Sequence, residues 1–208
     1  MSTKRSLTRP AAAVAAAATA ALVLAACGGN GDDGGSAHNG HDTASPSASA
    51  PAQQGDHNAA DTTFAQGMIP HHRQAIEMAD LATTRAESAE VKKLAEEIRK
   101  AQGPEIKTLS GWLTSWGEQV PAEGAGHEGH HMSGMMTAEE MKQLESSSGK
   151  AFDTAFLTMM VKHHEGAVAM ARTEQTEGMY QPAQDMAQAI ITSQSAEIAR
   201  MNTLLGKS

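Results

Sequence analysis

The chain has 208 residues, of which 40% are hydrophobic and 3% aromatic, with 16 basic and 24 acidic side chains. A net charge of −8 argues against a surface built to neutralise nucleic-acid phosphates, and a single cysteine excludes an internal disulfide or a thiolate metal cage. The length allows one or two small domains.

The first 26 residues read as an export signal rather than part of the fold. Lys4, Arg5 and Arg9 precede a short apolar run over residues 11–24, and Leu24-Ala25-Ala26-Cys27 follows. The apolar run is too short for an ordinary spanning helix. This segment resembles a bacterial lipoprotein signal, which implies cleavage before Cys27 and a lipid thioether on its sulfur. A plain secretory signal is the alternative. Removing Lys4, Arg5 and Arg9 leaves 13 basic residues against the same 24 acidic ones, or −11 with histidine neutral. Residues 27–58, rich in Gly, Ser, Ala and Asp, form a flexible tether with little to bury. Its His38, His41 and His57 read first as solvated linker histidines.

Residues 59–208 should form the folded domain. From residue 61 to about 86, Phe64, Met68, His71, Ala75, Met78 and Ala82 recur at steps of three and four, marking one face of a helix with Asp61 as its N-cap. Pro70 lies inside the pattern. A second helical stripe runs from about residue 88 to 116, where Gly103-Pro104 predicts an interruption and a bend. A linker covers residues 117–149 and holds His127, His130, His131, Met132, Met135 and Met136. Thr137-Ala138-Glu139-Glu140 within it has the form of a capping box for a short helix. Two long helices follow, from about residue 150 to 177 and from Pro182 to about 205.

Met68-Ile69-Pro70-His71-His72 returns as Met160-Val161-Lys162-His163-His164, 92 positions later. The register holds from Asp61/Asp153 through Phe64/Phe156 and Met78/Met170 to Gln102/Gln194, Glu105/Glu197 and Leu113/Leu205. The domain is therefore an internal duplication, with copies over residues 61–116 and 150–205. Four amphipathic helices in two hairpins make an all-α four-helix bundle the expected fold.

Counting from each hairpin turn locates the partners of the histidines. Equal rise along antiparallel helices places His71 and His72 level with Gln102 and Glu105, and His163 and His164 level with Gln194 and Glu197. Adjacent histidines differ by about 100° around a helix, so one of each pair can face its own hairpin and the other the opposite one. Met68 and Met160 share the histidines' face, and Met78 and Met170 extend it. Two readings stay open: a hydrogen-bonded polar layer fixing helix register, or a metal site. Imidazole with thioether suits copper, above all Cu(I), whereas imidazole with carboxylate also allows Cu(II) or zinc. The His- and Met-rich linker is a separate candidate, set against a low-complexity linker.

The M-I-P-H-H-x-x-A-I-x-M-A run, the F-x-x-M-x-x-H-H-x-G-A-x-x-M-A run and the two Q-x-x-E-I segments resemble the secreted domain-of-unknown-function 305 family. That resemblance implies a ferritin-like bundle and, for some members, copper binding outside the cytoplasm. It points to Met68, His71, His72, Met160, His163 and His164.

Three functions follow as expectations. The first is an envelope-anchored, non-catalytic metal-binding protein for copper storage, buffering or delivery. The second is a ferritin-like dinuclear metal oxidase. Such oxidases use Glu-x-x-His, whereas Met68 and Met160 stand three residues before His71 and His163. The third is a metal-free structural or oligomerising bundle. The expected partners are a metal ion and a membrane reached through lipid on Cys27, not nucleic acid; a homo-oligomer is left open.

Overall fold

The computed structural model describes residues 55–124 and 133–207. All regular structure in them is helical: α1 (Ala59–Arg85), α2 (Ala89–Trp116), α3 (Ala138–Ser146), α4 (Gly149–Glu177) and α5 (Gln181–Leu204). The expected helices fall within a few residues of these bounds. α1 packs on α2 and α4 on α5, each pair joined by a turn of three residues, and α1 and α4 meet at the centre. Short α3 leans on α1 and α4. No helix among the described residues is long and apolar enough to cross a membrane.

Two details of the sequence reading are corrected. Asn58, not Asp61, caps α1: its side chain accepts from the amides of Ala60 and Asp61, while Asp61 Oδ2 accepts from the Asn58 amide. Helix α2 runs without a break through Pro104, where the sequence predicts an interruption. Proline forfeits one backbone donor, and packing along the rest of the stripe sustains the helix. The capping box of α3 forms as read, with Thr137 and Glu140 bonding reciprocally.

Asp61 has a larger role, which its repeat partner mirrors. Its carboxylate accepts from the amides of Met179 and Tyr180, at the entry of α5. Asp153 accepts from the amides of Glu87 and Ser88, at the entry of α2. Each copy thus satisfies helix-start donors in the other copy's turn, where aligned peptide dipoles favour negative charge.

The apolar core falls into two clusters. One joins Met78, Leu94, Ile98, Phe152, Phe156 and Leu144, with others around them. The second joins Phe64, Met68, Leu109, Leu113, Ala171 and Ile190. On α1 the second cluster ends at Ile69 and the first resumes at Ala75; on α4 the first ends at Met160 and the second resumes at Ala167. The paired histidines occupy the interval on both helices.

Candidate metal centre

Consecutive residues on a helix diverge by about 100°, and each His-His pair uses that angle. His72 turns into its own hairpin, where Nε2 lies 2.6 Å from Glu105 Oε2. His164 repeats this with Glu197, also at 2.6 Å. His71 and His163 turn the other way and meet between the copies, with ring centroids 3.8 Å apart and planes tilted by 41°. The level predicted by counting from the turns is therefore correct. Glu105 and Glu197 are the partners reached; Gln102 and Gln194 are buried, with their Oε1 atoms unpartnered.

All four imidazoles are almost completely buried. His71 Nε2 lies 3.3 Å from the Ser133 carbonyl. A carbonyl only accepts, so Nε2 carries the proton and Nδ1 keeps a lone pair in the neutral ring. That Nδ1 has no partner, and neither ring nitrogen of His163 has one. His72 and His164 likewise leave Nδ1 unpartnered. Burial, with neighbouring histidines adding to it, holds His71 down to about 3 and His163 well below the ordinary imidazole value. The central pair is neutral at physiological pH and needs no deprotonation to bind a metal.

The end of the linker lies over this pair. Gly134 has φ +84°, and a Cβ there would come 2.7 Å from the Lys162 carbonyl and 2.9 Å from Gly166 Cα. A Cβ on Gly166 would lie 2.0 Å from the Ser133 oxygen. Two glycines thus let backbone rest on helix beside His163. Gln74 secures the next residues, donating to the Met136 carbonyl at 2.8 Å and accepting from the Met136 amide at 2.7 Å. Gln74 and Gly166 are repeat partners: the same position clamps the strap on one copy and clears space for it on the other. Sequence reasoning gave neither residue a role, although Gly166 is the glycine of the H-H-x-G-A run. A glycine inside a helix, about 1 kcal/mol worse than alanine, was the available signal for Gly166.

The remaining candidates separate. Met68 and Met160 are fully buried in the clusters flanking the histidine layer. Met78 is core, and Met170 is half-buried on the wall of a groove. Met136, expected as part of the linker's ligand cluster, is instead 4% exposed and packed in the core; Met135 is half-buried. His127, His130, His131 and Met132 lie outside the described residues, as does Cys27. Among the described residues no three His, Cys, Asp or Glu side chains are gathered for one metal ion. The layer offers a facing pair of imidazoles, thioethers in the adjoining clusters, and two flanking His-Glu pairs.

Glu174 was also missed. It is 1% exposed, on the α4 face where its repeat partner is Ala82. Burial, then the adjoining Asp61 carboxylate, push it up to about 8. Asp61 is lowered in spite of its own burial, by Glu174 and by the amides it accepts from.

Fold and site together define an internally duplicated helical bundle with a buried layer of paired histidines. The chain belongs to the family described as Domain of unknown function (DUF305), whose model matches residues 61–205. Among solved structures, a DUF305 protein of Streptomyces coelicolor, described as secreted, is 32% identical with a TM-score of 0.65, covering 71% of this chain and 91% of its own. CopM in a Cu(II)-bound form is 37% identical with a TM-score of 0.62, covering 69% of this chain and 94% of its own. CopM in a Cu(I)-bound form is 34% identical with a TM-score of 0.58 over the same shares. No curated protein matches the chain.

Proposed function

We propose that this chain is a copper-binding protein working outside the cytoplasm, where it stores, buffers or delivers the ion without a catalytic cycle. The observation that supports this most is the meeting of His71 and His163: two neutral, buried imidazoles from separate copies, with unpartnered ring nitrogens. Neutral imidazoles with Met68 and Met160 nearby in sequence suit Cu(I); His72 with Glu105 and His164 with Glu197 add ligands suited to Cu(II). The Cu(II)- and Cu(I)-bound forms of CopM support copper as the metal. The Leu24-Ala25-Ala26-Cys27 run supports tethering to the cell membrane through lipid on Cys27.

The test is Cu(I) competition titration and metal content of the mature soluble chain. Replacing His71, His72, His163 and His164 by alanine should abolish the tightest site. Deleting residues 125–132, which keeps Ser133 beside His71, should lower capacity but leave that site. The bundle ligands are held on packed helices, which fixes their geometry before the ion arrives. If the deletion alone removes all Cu(I) binding, the copper site is the loop. The two His-Glu bonds favour a second reading, in which the layer only fixes helix register; unchanged copper affinity in the quadruple variant would establish it. For the anchor, mass spectrometry of native protein should find acylated Cys27 as the first residue, and a free thiol there would remove it.

A further inference from the structure

A groove of about 420 Å³ runs between the start of α1 and the end of α4, walled by Ala60, Phe64, Gly67, Met170, Thr173 and Glu174 among others. Its lining residues all have repeat partners, and those partners form the matching groove between the end of α1 and the start of α4. That second groove is filled. Met141 and Leu144 of α3 pack there in one cluster with Met78, Ala82, Phe152 and Phe156, and Leu81 and Met159 support them.

The open groove differs from the filled one in two ways. It has lost volume: Ala60 stands for Phe152, Gly67 for Met159 and Thr173 for Leu81. It has reversed charge at its rim: exposed Glu177 stands for Arg85, which donates to the Ser147 carbonyl just beyond α3, while Glu174, held neutral, stands for Ala82. Glu174 is buried beside Asp61, which helps keep it protonated, so the exposed negative charge of the open groove is that of Glu177. Met179, 54% exposed, has its amide held by Asp61 on the same α1 terminus. An apolar wall, a reversed rim charge and an exposed methionine nearby make a recognition surface rather than idle solvent-facing helix.

We propose that the open groove docks a short amphipathic helix of another protein, seated as α3 is seated in the filled groove. It would present apolar residues at i and i+3, as Met141 and Leu144 do, and a lysine or arginine toward Glu177. The charge rules out the nearest alternatives. The α3 of a second copy carries Glu139, Glu140 and Glu145 against one lysine. Residues 28–54 carry three aspartates, no basic residue and no side chain of the Met or Leu kind. This inference does not rest on the copper reading.

The probe is a helix-stapled, fluorescein-labelled peptide of residues 137–146 carrying Glu139→Lys and Glu145→Lys, titrated by fluorescence anisotropy into the mature chain. It should bind saturably, and about tenfold more tightly than the same peptide with its glutamates intact. Methionine-methyl NMR of the wild-type chain should show shifts at Met170 and not at its buried repeat partner Met78. Gly67→Met, which installs the residue of the filled groove, should weaken binding by about tenfold or more while circular dichroism stays native. Thr173→Leu, on an exposed position, serves the same purpose if Gly67→Met does not fold. Lack of saturable binding, equal binding of the acidic peptide, an unmoved Met170 signal, or binding unchanged by groove filling would each overturn the proposal.

Discussion

The two copies agree where they meet each other and differ where the linker crosses them. Both hold a His-Glu bond of 2.6 Å, both send a second histidine to the centre, and both lend an aspartate to the opposite turn. Away from those contacts they part. One copy has Gln74 under the strap and Ala82 in the core, where the other has Gly166 and Glu174; of the two grooves between α1 and α4, α3 fills one and the other is open. Duplication supplies matched halves to the central layer. A single linker can pass over only one of two related surfaces, so the sequence differences at these positions follow the linker's path.

Acid should break the symmetric part with the largest effect. Unfolded His71 and His163 take up protons near 6.5, while folded His71 resists to about 3 and His163 is held well below its ordinary value. Their contribution is whole above pH 6.5 and is lost as pH falls toward 3. At about 1.4 kcal/mol per pKa unit, several kcal/mol should go. Urea unfolding between pH 7 and 4 measures this, and a His71→Gln, His163→Gln variant should show a much flatter acid limb. Equal slopes in the two proteins would mean that these rings are not buried neutral.

The asymmetric part should break at Gly166. Alanine in a helix ordinarily gains about 1 kcal/mol over glycine, but here its Cβ meets the Ser133 carbonyl, so Gly166→Ala should cost about 1–3 kcal/mol. Gln74→Ala, which releases both ends of the Met136 clamp, should cost about 1–3 kcal/mol by leaving buried backbone groups unpaired. A stabilising Gly166→Ala would show that the strap does not lie on α4.

A smaller effect, of opposite pH sense, belongs to Glu174. Its folded value of about 8 stands above the ordinary 4.5, so its contribution is whole below pH 4.5 and declines as pH rises through 8. Glu174→Ala, which copies Ala82, should flatten stability between pH 6 and 9 in thermal melts. An alkaline limb that persists in the variant would have another cause.

Much of this was legible in sequence because it depended on periodicity. A shift of 92 positions revealed the duplication, a step of three and four the helices, and a count from each turn the level at which His72 finds Glu105. What escaped was set by contacts between copies. Asp61 reads as an N-cap because its local pattern is that of one, yet its strongest use is on amides at Met179 and Tyr180. Met136 reads as a soft ligand in a His-rich linker, and only the Gln74 clamp shows that the linker has already entered the core there. Pro104 reads as a breaker because local propensity cannot weigh Leu94, Ile98, Leu109 and Leu113 on either side of it.

The exchange of aspartates across the two turns makes each half a missing part of its partner. A polypeptide cut between Gly124 and Ser133 would yield two fragments, each with one turn's amides unanswered and one aspartate unused. Mixed, they should complement like the subunits of an obligate heterodimer, with assembly that depends on concentration. In the intact chain the covalent link replaces that dependence with an effective concentration, on the order of millimolar. The protein is in this sense a dimer on one string, and its halves should refold together or not at all.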